Sequence, residues 1–215
     1  MKAIIFSGGE LLDANIFERP EKDDLSIAAD SGYLSANRLG ARVDVLVGDM
    51  DSLGKENIPD GIEQVELPCE KNLTDTQAAV DIAIERGCDS IVIVGGIGSR
   101  LDHSLSSAAI LERFKACGVH GYITNGFNRI HFLENDSLLV MKSPFRYLSL
   151  LCLDKTCRGV SVEGCKYPLK NEKLHRDFQY AVSNEITGNV ALISVRRGAM
   201  LVIESADKPE VAKAQ

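Results

Sequence analysis

Four short apolar runs, Lys2 to Phe6, Leu25 to Ala29, Val43 to Val47 and Ser90 to Val94, each stop abruptly at glycine, serine or aspartate. Runs of this length, rich in β-branched residues, read as buried strands. Helical patterns lie between and after them. Ser31 to Leu39 carries Tyr33, Leu34, Ala36 and Leu39 and ends at Gly40. Thr74 and Gln77 are spaced as a capping box for a helix through Arg86, closed by Gly87. Leu105, Ala108, Ala109 and Leu111 continue a third helix to about Cys117, and a short strand is expected near Gln64 to Leu67. Strands that alternate with helices imply a parallel sheet with right-handed crossovers.

Beyond Gly121 the rhythm changes. Tyr122 to Thr124, Arg129 to Leu133, Tyr147 to Leu153, Gly159 to Glu163, Val190 to Val195 and Met200 to Glu204 are short, β-rich and separated by turns. No convincing helix follows, so an all-β sandwich or barrel is expected. The boundary is placed near Glu134 to Ser137, giving an α/β domain over 1–134 and a β-sandwich domain over 135–215, with Ala206 to Gln215 a frayed tail.

The bulk composition narrows the partners. A net charge of −7, with scattered Lys and Arg, argues against a nucleic-acid surface. Only four apolar residues precede Ser7 after Lys2, too few for a signal-peptide core, and no later stretch approaches a membrane span. A cytoplasmic protein is expected. Cysteines at 69, 88, 117, 152, 157 and 165 include no C-x-x-C pair and read as small apolar fillers in a reducing compartment.

In an open parallel sheet, ligands bind outside the carboxyl ends of the strands. Ser7-Gly8-Gly9, Asp30-Ser31-Gly32, Gly48 to Ser52 and Gly95 to His103 all stand at such ends and should share one rim. Asp49 and Asp51 alternate along extended chain, so both carboxylates leave one face. Such a pair suits Mg²⁺, which takes one or two protein carboxylates and completes its shell with water and phosphate. A solvated Gly-Asp turn gives the same pentapeptide. Asp30 or Ser31 equally suits a helix cap, and Asp75 a favourable charge at a helix start. Arg100, Asp102 and His103 stand at a helix start behind a glycine-rich loop, which is an anion-binding arrangement. His103 reads either as a catalytic imidazole or as a hydrogen-bonder at the helix start. There is no G-x-x-x-x-G-K-[ST], no complete dinucleotide fingerprint and no G-x-S-x-G elbow. The chemistry called for is a polyphosphate held by Mg²⁺ on several acids plus an arginine.

These residues resemble a known family. Ala28-Ala29-Asp30-Ser31-Gly32, Gly48-Asp49-Met50-Asp51-Ser52, Glu70 to Asp75 and Gly95 to His103 occur in the order and spacing of thiamin pyrophosphokinases. Gly164 to Leu169 and Ser183-Asn184-Glu185 are similar to that family's C-terminal signatures. The resemblance implies an ATP-binding α/β domain, a β-sandwich that helps bind thiamin, and a homodimer with active sites between subunits. It implies Mg²⁺ and the triphosphate on Asp30, Asp49, Asp51 and Asp75, and the nucleotide at Asp30, Ser31, Gly96, Ser99, Arg100, Asp102 and His103. Catalytic roles fall to Asp49, Asp51, Asp75, Arg100 and Asp102, with the thiamin hydroxyl proton going to Asp75 or Asp102. Tyr167 would lie near the thiamin ring, and Ser183 and Asn184 at its pyrimidine.

Two positions depart from the family pattern. Asn72 stands where an aspartate is usual, and Tyr167 where some members carry tryptophan, a residue this chain lacks altogether. The implied reaction moves the β,γ-pyrophosphoryl group of ATP to the hydroxyethyl oxygen of thiamin and releases AMP. Its rivals are a pyrophosphokinase acting on a pterin-type alcohol and a nucleotide or thiamin sensor without turnover.

Overall fold

The structure, a computed structural model, describes residues 1–11, 18–49, 59–68 and 73–207. These residues fall into two compact units, Met1–Gly126 and Phe127–Gln215.

The first unit holds strands β1 (Lys2–Phe6), β2 (Leu25–Ala29), β3 (Val45–Gly48), β4 (Glu63–Glu66), β5 (Ser90–Val94) and β6 (His120–Thr124), with helices α1 (Gly32–Arg38), α2 (Asp75–Glu85) and α3 (Leu101–Ala116). All six strands are parallel, in the order β4-β3-β2-β1-β5-β6. The chain steps outward from β1 to β4, then returns to the other side of β1 through β5. The reversal between β1 and β5 is the switch point at which open sheets of this kind bind ligands. β1, β2 and β5 are buried at four of their five positions, and β3 at all four, as expected of strands covered on both faces.

Helix α3 turns a different face inward than its apolar letters suggest. In α3, Ser107, Ile110, Leu111 and Phe114 are buried while Leu101 and Leu105 are exposed. The first turns of α3 flank a cleft, so packing begins only about two turns in. In α1, Tyr33 and Ala36 are buried and Leu34 is exposed. The expected capping box of α2 is half formed. The Gln77 amide donates to Thr74 Oγ1 at 3.2 Å, but the Gln77 side chain turns to Asp81 Oδ1 at 3.0 Å instead of reaching back.

The second unit contains β7 (Asn128–Glu134), β8 (Ser137–Met141), β9 (Tyr147–Cys152), β10 (Thr156–Glu163), β11 (Leu169–His175), β12 (Val190–Arg197) and β13 (Ala199–Ser205). β13 pairs antiparallel with both β7 and β9. β11, β10, β12 and β8 form a second antiparallel layer in that order. Leu133, Leu148, Leu150, Met200 and Val202 from the first layer pack with Val140, Val160, Val162, Leu174, Ile193 and Val195 from the other. This is the sandwich expected from the sequence. Its start differs from the Glu134 to Ser137 boundary read there: β7 runs antiparallel along the whole of β13, so it belongs to the second unit and the division falls at Gly126. No described helix is long and apolar enough to cross a membrane.

Candidate active site

A cleft of about 620 Å³ opens at the carboxyl ends of β1, β2 and β5 in the first unit. Glycines let three loops close on one another there. The Ser7 amide donates to the Val94 carbonyl at 2.8 Å, which carries β1 one residue further along β5. A Cβ at Gly9 would strike the Gly95 carbonyl, and one at Gly32 the Phe6 carbonyl. Gly95 itself has φ +78°, where only glycine sits without strain. Three glycine-bearing loops therefore lie close against one another at the floor of the cleft, an arrangement suited to an anion.

The first turns of α2 and α3 complete the lining. Thr74 caps α2, Asp75 is its first residue, and the Thr76 hydroxyl shares a buried 2.8 Å hydrogen bond with Ser7 Oγ. At the start of α3, Arg100 forks onto Asp102, with Nη2 to Oδ2 at 2.7 Å and Nε to Oδ1 at 3.2 Å. Hydrogen bonding from Arg100 is the main reason the Asp102 carboxyl falls to about 2. Both side chains are about two-thirds exposed, so the pair is an open clasp on the cleft rim. Ser104 Oγ accepts from the Gly98 amide at 3.1 Å and lies 3.0 Å from the Arg100 carbonyl, tying the glycine-rich loop to the helix.

Asp30, Ser31, Asp75, Gly96, Ser99, Arg100, Asp102 and His103 all line this one cleft. Ser31 occupies the N-cap position of α1 but makes no side-chain capping bond, so capping does not account for it. Asp30 has φ +49°, a left-handed conformation uncommon outside glycine that clusters at functional sites. Its amide is held by the Val47 carbonyl at 2.8 Å, and Gly48 packs against its Cα. Asp49 follows Gly48 at that same edge but is not part of the cleft lining. Asp51 and Asn72 lie outside the described residues.

Among the described residues no three His, Cys, Asp or Glu side chains gather closely enough to hold a metal ion between them. Asp30 and Asp75, lining one cleft with glycine-rich loops, are the sparse hard-oxygen set that Mg²⁺ accepts when phosphate and water supply its other ligands.

Tyr167, Ser183 and Asn184 belong to the second unit. Tyr167 is 59% exposed. Ser183 has φ +58°, and its amide donates to Ser149 Oγ at 3.0 Å. Asn184 is bound through both backbone and side chain.

Sequence reading missed Glu10, Thr76, Ser106 and Ser107 in the cleft, and Ser104 behind it. The signal for two of them was present: with His103, Ser106 and Ser107 fall at i, i+3 and i+4 on one helical face. Also unanticipated is a buried ion pair in the second unit. Glu204 is 2% exposed and contacts Arg129 Nη1 at 3.2 Å and His131 Nε2 at 3.6 Å, and it accepts from Ser143 Oγ at 2.8 Å. Burial alone would push the Glu204 carboxyl up; His131, Arg129 and Ser143 outweigh it and hold it below the usual range.

Two family models match the chain. Residues 18–123 match "Thiamin pyrophosphokinase, catalytic domain", and residues 131–200 match "Thiamin pyrophosphokinase, vitamin B1 binding domain". A thiamine pyrophosphokinase of Bacillus subtilis is 24% identical over 209 residues, covering 95% of this chain and 98% of the relative. Among solved structures, a thiamin pyrophosphokinase from Geobacillus thermodenitrificans superposes with a TM-score of 0.85 at 27% identity, covering 96% of this chain and 98% of that one. The Bacillus subtilis enzyme superposes with the same TM-score at 23% identity, over 96% of this chain and 100% of that one.

Proposed function

Because the chain belongs to the thiamin pyrophosphokinase family, we propose that it transfers the β,γ-pyrophosphoryl group of ATP to thiamin, forming thiamin diphosphate and AMP. The observation that carries this reading is the meeting of Asp30, Asp75, Arg100 and Asp102 with the glycine-rich loop in one cleft at the switch point of the first unit. The thiamin hydroxyl oxygen attacks the β-phosphorus, the bridge to the α-phosphorus breaks, and AMP leaves with the bridging oxygen. A transfer of this type asks little covalent chemistry of the protein, so positioning and charge neutralisation supply most of the catalysis.

Roles follow from place and chemistry. Backbone amides at the ends of β1 and β5, with the first turn of α3, cradle the triphosphate. Asp30 and Asp75 would hold Mg²⁺, joined by Asp49 and Asp51 as the family resemblance implies, and the ion would offset phosphate charge. Arg100, steadied by its fork on Asp102, lies on the cleft lining, where its remaining guanidinium N–H groups are placed to take phosphate oxygens. The thiamin hydroxyl proton goes to Asp75 or Asp102, the two carboxylates at the first turns of α2 and α3 on the cleft lining.

Thiamin is held through the second unit, its cationic ring at the exposed face of Tyr167. The same proposal includes a homodimer. Exposed Leu139 and Leu192 are directly paired across β8 and β12, as are exposed Met141 and Val190, an apolar strip that suits a second copy. Cytoplasmic location is supported by the free thiols of Cys88, Cys117, Cys152, Cys157 and Cys165.

The test is product analysis with ATP, Mg²⁺ and thiamin, resolving AMP from ADP. AMP that appears only with thiamin, in step with thiamin diphosphate, is the expected result. Thiamin-dependent ADP would mean that a single phosphoryl group moves. No thiamin-dependent product would transfer the proposal to another alcohol or to binding without turnover.

A further inference from the structure

By family resemblance, Asn184 reads as a direct contact to the thiamin pyrimidine. The geometry gives its side chain another occupation. Asn184 Oδ1 accepts from the Tyr167 amide at 3.0 Å and from the Glu185 amide at 2.9 Å, while Nδ2 donates to the Tyr167 carbonyl at 2.8 Å. A side-chain amide has two acceptor sites and two N–H groups, so backbone takes three of the four. The backbone of Asn184 is fixed as well: its amide donates to the Leu148 carbonyl at 2.9 Å and its carbonyl accepts from the Leu148 amide at 2.8 Å.

Asn184 thus joins β9 on one side to Tyr167 on the other. The segment it grips belongs to no regular strand. Cys165 forms an isolated bridge with Ile186, and the Lys166 amide donates to the Glu185 carbonyl at 2.9 Å. At Tyr167 the side chain of Asn184 stands in for a neighbouring strand, satisfying the N–H and the C=O of the residue together. The ring carried by that backbone is exposed, and Lys166 Nζ lies 5.5 Å from its centroid while pairing with Glu185 Oε1 at 3.7 Å. One cation is thus already held near an aromatic face whose proposed ligand is a thiazolium.

We propose that Asn184 is a positioning residue that acts through Tyr167, bracketing its backbone so that the ring meets the thiamin cation, and is not itself a thiamin-binding group. The inference rests on the reading that thiamin is the acceptor. It alters the expected effect of mutation: loss of Asn184 should act as a milder version of loss of Tyr167, whatever the pyrimidine substituents.

Kinetics of Asn184→Ala, Tyr167→Ala and the double variant test this with two acceptors, thiamin and its 4-oxo analogue, in which a carbonyl replaces the pyrimidine amino group. Asn184→Ala should raise KM for both acceptors by about tenfold, the scale of a displaced cation–π contact, and leave KM for ATP unchanged. In the Tyr167→Ala background it should add less than about twofold, since residues acting as a unit are not additive. A change in the ratio between the two acceptors, or an undiminished effect without the Tyr167 ring, would overturn the proposal. Asn184→Asp keeps both accepted bonds but sets a carboxylate oxygen against the Tyr167 carbonyl in place of the donated one, so it opens the bracket on that side and gives the same test should the alanine variant fail to fold. Turnover of thiamin by the unaltered protein separates failure of the acceptor reading from failure of this one. Hydrogen exchange reads the bracket with no substrate: the Tyr167 amide should be protected in the unaltered protein and exchange faster in the Asn184 variants. Equal exchange would sink the proposal.

Discussion

The two units place their polar groups in opposite ways. In the first, the cleft is made where parallel strands end and helices begin, and close backbone approach at Gly9, Gly32 and Gly95 sets its shape. In the second, antiparallel strands bury a sandwich core, and a side chain fixes the residue proposed to meet the substrate: Asn184 grips the backbone of Tyr167. A site built from strand ends comes with the topology. One held by a side-chain bracket depends on a few particular bonds, so the two should fail differently under mutation.

The largest expected effect separates chemistry from folding in the first unit. Asp75→Asn should lower kcat by at least about a hundredfold, the scale of losing one group placed against developing charge. Its melting temperature should stay within a few degrees of the parent. Near-normal turnover in stopped assays would remove Asp75 from the site.

Next is the backbone contact itself. Gly32→Ala drives a Cβ into the Phe6 carbonyl, which cannot yield as a flexible side chain would. We expect about 3 kcal/mol of destabilisation by urea titration, at the upper end for an overpacked site. A neutral result would mean that the loop between β2 and α1 relaxes freely, and the contrast between the units would weaken.

In the second unit, Glu204→Gln should cost about 2 to 3 kcal/mol, because it strips charge from a buried carboxylate that faces Arg129, His131 and Ser143. The folded carboxyl titrates below its unfolded value of about 4.3, so its contribution is present above that pH and is lost as pH falls toward the folded value. Urea titrations at pH 5 and pH 3 should show a loss of stability in the parent that is smaller in Glu204→Gln. An equal loss in both would place the acid sensitivity elsewhere. The smallest effect is expected of Tyr167→Phe, which keeps the aromatic face and the backbone grip. Its KM for thiamin should change less than about threefold, as cation–π attraction differs little between the two rings.

The same contrast explains what the sequence made readable. Buried parallel strands are continuous apolar runs, so β1, β2 and β5 could be bounded to the residue, and glycine and aspartate at their ends marked the rim. Asp30 and Arg100 were legible because topology alone brings strand ends together, whereas Asp75, the first residue of α2, was named through the family resemblance. β11 was not: Leu169–His175 is mostly polar, buries only Leu174, and forms as an edge strand whose charged side chains face solvent. β8 was passed over too, and a register shift near Gly159, at φ +68°, obscures the alternation of β10. The role of Asn184 was hidden for a different reason. Composition can nominate an amide as a ligand contact, but only coordinates show that its bonds go to the backbone of Tyr167. Likewise, nothing in the spacing of Arg129, His131 and Glu204 announces a pair 75 residues apart in the chain.

The most direct test of this division of labour is calorimetric binding of two ligands, thiamin and a non-hydrolysable Mg²⁺–ATP analogue, to three proteins: the parent, Asp75→Asn and Tyr167→Ala. The account predicts a crossed pattern, with Asp75→Asn losing affinity for the nucleotide and keeping thiamin, and Tyr167→Ala doing the reverse. If either variant lost both ligands while still folded, or if Tyr167→Ala bound thiamin as the parent does, the assignment of one substrate to each unit would be contradicted.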